Sequence, residues 1–535
     1  MNGFRRFDAT GWKGLLLPLG LCNCLYLPVW LILTGPVHTY FFPDGRALRV
    51  HLADNFAALA LGSALLYLLC GLTRGYVRDS VALFCVSVAL WSVASAVSPV
   101  TMNRGDGSFM VAVVLVCAAA AAIWFRWTLL RQMVENTTII LALLCVAAAC
   151  RVWQASWKLP VYGVEQSHGL YLQHSSNSPP SRKPRTSREG ASGGRVRIVW
   201  IIFDELDQNR TFPSVEAARD RFRPALPNFQ RLAAESMQMS AMVPSHYRTL
   251  AAVPSMLTGH PLSIAAATEA GRTWGGVPNL FSEFHEKGLT TAVLGWHHPY
   301  CFVLGSSVDN CLTAVGESLT IEPYLQIPVP PWPVRLQWNF KEVLRNVPLA
   351  RALRRHLPAG SQDRFRERAL YELLWLQTKT CLQGKYDFTL IHFSVPHPPG
   401  VALKNGAPGG DYYDNLELAD GLLGQVRSIL ESDHAWSETA LLVTGDHHLR
   451  LDLWSDQMTR RVIDATRGKE DARTVCLLKL PGQMAGTLNT TPFSALLLHD
   501  LVNTIANRTL SDPKAIAAWI EGQASRFPTE RVPVR

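Results

Sequence analysis

Charge of one sign is what residues 196–535 lack. Residues 1–158 carry 12 Lys+Arg against 6 Asp+Glu, residues 159–195 carry 5 against 2, and 34 of each sign remain for the rest. The basic pI of about 9 therefore belongs to the first third of the chain and the segment after it. A balanced final portion excludes the basic footprint of a nucleic-acid binder, so no nucleic-acid partner is expected. Cysteine is scarce outside the apolar first third. Seven of the eleven lie between Cys22 and Cys150 and are expected as packing residues. Apolar residues are sparse in 166–195, where Ser, Pro, Gly and Arg dominate. Such a segment cannot bury enough surface to offset its ordering entropy. Residues 158–195 are therefore expected to be a flexible linker.

What the first third has in excess is apolar length. Five runs fill it: Gly14–Thr34, Phe56–Leu72, Val81–Val97, Phe109–Phe125 and Thr138–Trp153. Each approaches the length that crosses a bilayer core, and backbone in lipid must pair internally, so each is expected as a helix. Arg5, Arg6, Lys13, Arg74, Arg78, Arg126 and Arg131 fall in loops that would share one side. The bias of Lys and Arg toward the cytoplasm then places the N-terminus inside and everything after residue 153 outside. Trp153 and Trp157 would sit at the outer interface. Residues 1–157 are thus expected as a five-helix transmembrane bundle in the inner (plasma) membrane.

Residues 196–535 alternate short apolar runs with helical patterns. Strands are expected at Ile198–Phe203, Thr290–Leu294, Phe388–Phe393, Ala440–Thr444 and Val475–Leu480. Helices are expected at Asn228–Ser236, Arg366–Leu382, Leu416–Leu430 and Phe493–Ile505. This alternation predicts an α/β sandwich around a mostly parallel sheet. Ligands in such sheets bind at the carboxyl ends of strands. Those ends carry Asp204, Glu205 and Asp207; His297 and His298; Ser394 and His397; Asp446, His447 and His448. One such group alone reads as a cap, a turn or a buried histidine. Four in one domain point to a metal-dependent site.

A further stretch, Ser245–Gly259, reads as a loop turning into a short helix, with the Thr249 hydroxyl where the helix begins. Alone, it is an N-cap threonine. In company with the strand-end clusters it resembles the nucleophile segment of the alkaline phosphatase superfamily. The nearest groups are the sulfatases and the membrane-bound phosphoethanolamine and glycerol-phosphate (lipoteichoic acid synthase-like) transferases. The opening strand ending Asp204-Glu205, the run Leu226-Pro227-Asn228-Phe229, the pair Pro396-His397 and the run Thr444-Gly445-Asp446-His447 match in order. In sulfatases the nucleophile lies ten residues before the glycine that matches Gly259. In the transferases a threonine lies five before the proline that matches Pro254. Both rulers land on Thr249. The sulfatase pattern of Cys or Ser followed by x-Pro-x-Arg is absent, since Ala251 and Val253 stand there, and Trp296 replaces the sulfatase lysine.

The resemblance implies a phosphotransferase carrying a phospholipid headgroup phosphoryl unit to an extracytoplasmic glycan or lipid through phospho-Thr249. It implies a divalent metal, most often Zn, with Ca, Mn or Mg as alternatives. Asp204, Asp446, His447 and Thr249 would be its ligands and Glu205 a further one. His298 and His397 would steady the phosphoryl group and protonate the leaving alcohol. A sulfatase-like hydrolase and a non-catalytic membrane protein with a degenerate fold are the competing readings. Cys301 and Cys311, ten positions apart after His298, would pair in an oxidising compartment. Cys476, in an apolar strand, is expected buried and free.

Overall fold

The computed structural model describes residues 45–72, 164–167, 170–174, 196–213, 223–269, 273–315, 331–337, 361–398, 410–451 and 471–527, with scattered positions elsewhere. The chain divides into two units, Met1–Val161 with Glu317–Pro358, and Tyr162–Gly316 with Ala359–Val534.

In the first unit, helix α1 spans Gly45–Leu72. Its stretch Leu48–Leu68 is the one piece among the described residues that is long and apolar enough to cross a bilayer. The expected five-helix bundle is therefore not found there. Runs 81–97 and 109–125 lie outside the described residues. Exposed Phe56, Leu61, Leu65 and Leu68 line α1, an arrangement that suits lipid better than water.

The second unit is built on a ten-stranded sheet whose strands, from edge to edge, are β1 (Val164–Ser167), β2 (Leu170–His174), β7 (Asn310–Val315), β6 (Thr291–His297), β8 (Phe388–Pro396), β3 (Arg197–Asp204), β9 (Thr439–Gly445), β10 (Cys476–Lys479), β4 (Met237–Met239) and β11 (Thr487–Asn489), while β5 (Met242–Val243) pairs apart from it with β12 (Phe493–Ser494). Its middle is parallel: β7 (Asn310–Val315), β6 (Thr291–His297), β8 (Phe388–Pro396), β3 (Arg197–Asp204) and β9 (Thr439–Gly445). Every residue of β3, β8 and β9 is buried. That is why these strands read as unbroken apolar runs and not as alternations. On the far side of β9, β10 (Cys476–Lys479) runs antiparallel and pairs with β4 (Met237–Met239), which β11 (Thr487–Asn489) follows in parallel. The mixed, mostly parallel sheet fits the expected α/β architecture.

The linker is shorter than expected. Val164–Ser167 (β1) and Leu170–His174 (β2) form an antiparallel hairpin that continues the sheet beyond β7. The alternation of Leu170 and Leu172 with Tyr171 and Gln173 is a strand pattern. The polar composition of 158–195 as a whole masks it.

Four helices explain the sequence motifs around the site. Helix α2 (Pro227–Ala233) has proline at its start and no cap of its own. Asp420 of α4 (Tyr412–Ser432) supplies one, accepting from the backbone N–H of Asn228 at 3.0 Å and of Phe229 at 2.8 Å. The Leu-Pro-Asn-Phe run is thus a packing motif. Helix α3 (Thr249–Thr258) ends at Gly259 with φ +69, and a Cβ there would meet the His499 ring at 3.0 Å. Helix α5 (Leu497–Ala506) carries that histidine. On one face of the sheet, Val199, Ile201, Phe203, Ile391 and Phe393 pack against Leu416, Leu423 and Leu430 of α4. Burying such side chains contributes about 1.5–3 kcal/mol each.

Candidate active site

Parallel pairing in register is what gathers the site. Phe203 pairs with Gly445 and Asp204 with Pro396. The ends of β3, β8 and β9 are therefore level, and the polar residues that follow them share one rim. Gly445 is required at that rim: a Cβ would lie 2.0 Å from Thr474 Oγ1 and 2.6 Å from the Leu206 carbonyl. Two non-glycine residues at the strand ends adopt left-handed backbone, Glu205 (φ 61) and His297 (φ 66). Such conformations cost of order 1–3 kcal/mol each and persist where the surroundings impose them.

Thr249 opens α3 as its first helical residue and does not cap it. Its hydroxyl points elsewhere. Thr249 Oγ1 lies 3.2 Å from His447 Nε2 and 3.4 and 3.5 Å from the two Asp204 oxygens. His447 Nε2 is 3.4 Å from Asp446 Oδ2 and 3.7 Å from Asp204 Oδ1. Asp204, Asp446 and His447 each offer one ligand atom, and the three atoms lie within 4.8 Å of one another. All three side chains are buried.

The donor set fits a cation. His447 Nδ1 is 3.0 Å from the His448 carbonyl, which can only accept, so Nδ1 carries the proton and Nε2 presents a lone pair. Asp446 Oδ1 accepts from the Glu205 and His447 backbone N–H groups, whereas Oδ2 is buried without a hydrogen-bond donor. Three acceptor groups thus face one another around one hydroxyl proton. Burial, then Asp446, then Glu205 push the Asp204 carboxyl well above the usual carboxylate range. Burial lifts Asp446 to about 6 against the Glu205 backbone N–H, the nearby Thr249 hydroxyl and the His447 backbone N–H. Burial, then Arg450, holds His447 neutral. Two carboxylates that resist ionisation and one neutral imidazole are a ligand set awaiting positive charge.

Not every expected site residue joins this cluster. Glu205 is turned away: Oε1 accepts from Arg450 Nε at 2.7 Å and Oε2 from the Trp454 indole N–H at 3.0 Å. Both oxygens are used, so it is not a ligand in this arrangement. Burial still lifts its carboxyl to about 7, with Arg450 pulling the other way. His298 is buried and its Nε2 is 3.1 Å from the Thr249 carbonyl, so it donates there and holds the backbone of α3, not a phosphoryl oxygen. The His397 ring sits edge-on to Trp454 at 4.7 Å and to Trp296 at 5.8 Å. Burial, then Arg450, then His297 push it down to about 3. In the free protein it is a neutral imidazole and not a charged acid.

Arg450 is the residue that sequence reading missed. Burial works against its charge, but Glu205, Asp204 and Asp446 outweigh that and raise its pKa. Its position four residues beyond Asp446, on the loop after β9, was the available signal. Trp296 packs against His297 and His392. Behind the site Cys301 and Cys311 form the expected disulfide, and Cys476 is buried and free.

No family model matches the chain, and no curated protein matches it. Among solved structures it is similar to PsFucS1 sulfatase from Pseudoalteromonas sp., at 13 % identity over 59 % of this chain and 68 % of that one, with a TM-score of 0.40. It is also similar to phosphonate monoester hydrolase of Agrobacterium radiobacter, at 13 % identity over 58 % and 74 %, TM-score 0.35. A third is a protein in the alkaline phosphatase superfamily from Vibrio parahaemolyticus, at 14 % identity over 59 % and 67 %, TM-score 0.36.

Proposed function

We propose that the chain is a membrane-anchored, metal-dependent phosphotransferase that uses Thr249 as its nucleophile. One observation carries the reading: a buried threonine hydroxyl lies within 3.5 Å of Asp204 and His447, at the start of a helix. A threonine alcohol is a weak nucleophile at neutral pH and needs activation. A divalent cation, Zn or alternatively Mn, Mg or Ca, held by Asp204, Asp446 and His447, would supply Lewis acidity and lower the hydroxyl pKa.

The remaining steps belong to the side chains. Thr249 Oγ1 attacks phosphorus; the Oγ–P bond forms and the P–O bond to the lipid alcohol breaks. Thr249 loses its proton to an Asp204 oxygen, 3.4 Å away, and the departing diacylglycerol oxygen takes that proton up, so none is gained or lost overall. The backbone N–H groups of Thr249 and Leu250, which open α3, have no intrahelical acceptor and favour the phosphoryl oxygens. His298 keeps the carbonyl of Thr249 in place, and neutral His397 orients the substrate through its N–H. An acceptor hydroxyl on a glycan or lipid then takes the phosphoryl unit from Thr249. With water as acceptor the same steps give a hydrolase.

The donor would be a phospholipid in the outer leaflet, within reach of a catalytic domain on the periplasmic or extracellular side of a plasma membrane. α1 supports the membrane part of this reading, since Leu48–Leu68 has the length and composition of a span. Labelled phosphatidylethanolamine or phosphatidylglycerol vesicles test the proposal. The full chain should release diacylglycerol in the presence of metal, and Thr249→Ala should lower that rate on the order of 10³-fold or more. A Thr249→Ala protein that kept the normal rate would remove Thr249 from the reaction. Product analysis with and without acceptor separates transfer from hydrolysis.

A further inference from the structure

The chain leaves the catalytic unit after β7 and returns at Ser361–Gln383; the intervening Glu317–Pro358 belongs with the N-terminal unit. In that excursion, Arg335 grips an acid of α1: Nε is 2.6 Å from Asp54 Oδ2 and Nη2 is 3.2 Å from Oδ1. The Asp54 side chain is 3 % exposed and that of Arg335 is 15 % exposed. A two-pronged pair of this kind is geometrically specific as well as strong. Asp54 lies inside the span Leu48–Leu68, where an acid without a partner is expensive. Six residues from the start of that span, it is roughly 9 Å deep at 1.5 Å per residue. A long arginine from an interfacial segment can reach such a depth.

Two further observations mark the same end of α1. Arg49 stands 4.5 Å over the Trp157 ring, and Trp157 is 66 % exposed. The short helix 332–337, which carries Arg335, leaves Trp332 46 % and Val334 40 % exposed. Exposed tryptophans beside a span's end, with arginine among them, are the composition of a headgroup layer.

We propose that the short helix 332–337 is a second membrane anchor. Arg335 clamps it to α1 through Asp54, and Trp332 with Val334 rests in the headgroup layer of the bilayer. The catalytic unit is then held at the membrane from inside its own sequence, independently of the segment that joins it to the N-terminal unit. This rests on the membrane reading of the N-terminal unit, and the experiment separates the two.

A protease site is placed in the full chain at 182–190, membranes are prepared, the site is cut, and the membranes are washed in high salt. Both fragments should stay in the pellet, because the pair is buried and salt screens it little. Arg335→Ala or Asp54→Ala should send the catalytic fragment into the wash, on the order of tenfold more than wild type. Asp54→Arg combined with Arg335→Asp should return it to the pellet, which distinguishes a lost pair from a lost fold. Trp332→Ser with Val334→Ser should also raise the washed fraction; no change there would overturn the lipid contact. Release of the wild-type catalytic fragment while the N-terminal fragment stays bound would overturn the anchor alone. Retention of Arg335→Ala would overturn the clamp. Both wild-type fragments in the wash would overturn the membrane reading and the anchor together.

Discussion

His298 Nε2 donates to the carbonyl of Thr249 across 3.1 Å. The histidine follows β6 and the threonine opens α3, so this bond sets where the backbone of Thr249, the proposed nucleophile, stands. His298→Ala should therefore lower kcat on the order of 10²-fold through a displacement of about 1 Å, with KM little changed. His298→Gln, which can place an N–H at a similar distance, should recover much of the loss. A rise in KM with unchanged kcat would instead assign His298 to substrate binding.

The lone Asp446 Oδ2 predicts a metal effect on stability. At a Zn concentration of about 100 Kd, binding to the folded state should add about 2.7 kcal/mol. Denaturant titration measures this with and without chelator. Asp446→Asn should lose most of the gain. An Asn variant stabilised as much as wild type would contradict the ligand assignment.

A pH dependence follows from the same carboxyl. Asp446 is raised from 3.8 to about 6 by burial, so between those values the folded state binds more protons than the unfolded state. Stability contributed by this group is present at low pH and is lost as pH rises through about 6. Half-buried His297 and His397, pushed down by desolvation to about 4 and about 3, work in the opposite direction but are common to both proteins compared. In chelator, Asp446→Asn and wild type should be alike near pH 4, and the variant more stable by about 3 kcal/mol at pH 7. Zn at about 100 Kd should nearly cancel that difference at pH 7, and Zn at about 1,000 Kd, where binding adds about 4.1 kcal/mol, should reverse the order. Urea melts at several pH values check both statements.

The Arg450–Glu205 pair predicts a non-additive cycle. Arg450→Ala leaves a buried carboxyl whose remaining partner is Trp454 and should cost about 3–5 kcal/mol. Glu205→Gln added to it should restore a good part of that loss. Additive losses in the double variant would mean that the two residues act separately.

Much of the second unit was legible because its central strands are buried on both faces. Ile198–Phe203 and Ala440–Thr444 fall inside β3 and β9, and the ligand-type residues just after them meet at the rim. Short strands were not legible: Met237–Met239 and Thr487–Asn489 are three residues each and take their shape from neighbours. The hairpin Val164–His174 hid in a polar average. Composition could mark Glu205 as a strand-end acid. It could not say that Arg450, 245 residues away, would claim it. Nor could the position of His298 reveal that its ring turns to a backbone carbonyl. Spacing located Thr249, whereas the direction of its hydroxyl needed the fold.

The central claim is that Thr249 becomes covalently phosphorylated, and intact-protein and peptide mass spectrometry test it most directly. The full chain is mixed with phospholipid vesicles and metal, without acceptor, and quenched in acid. A headgroup phosphoryl adduct on the peptide containing Thr249, absent from Thr249→Ala, is the predicted result. Turnover with no adduct at Thr249, or an adduct on another residue that survives Thr249→Ala, would contradict the account.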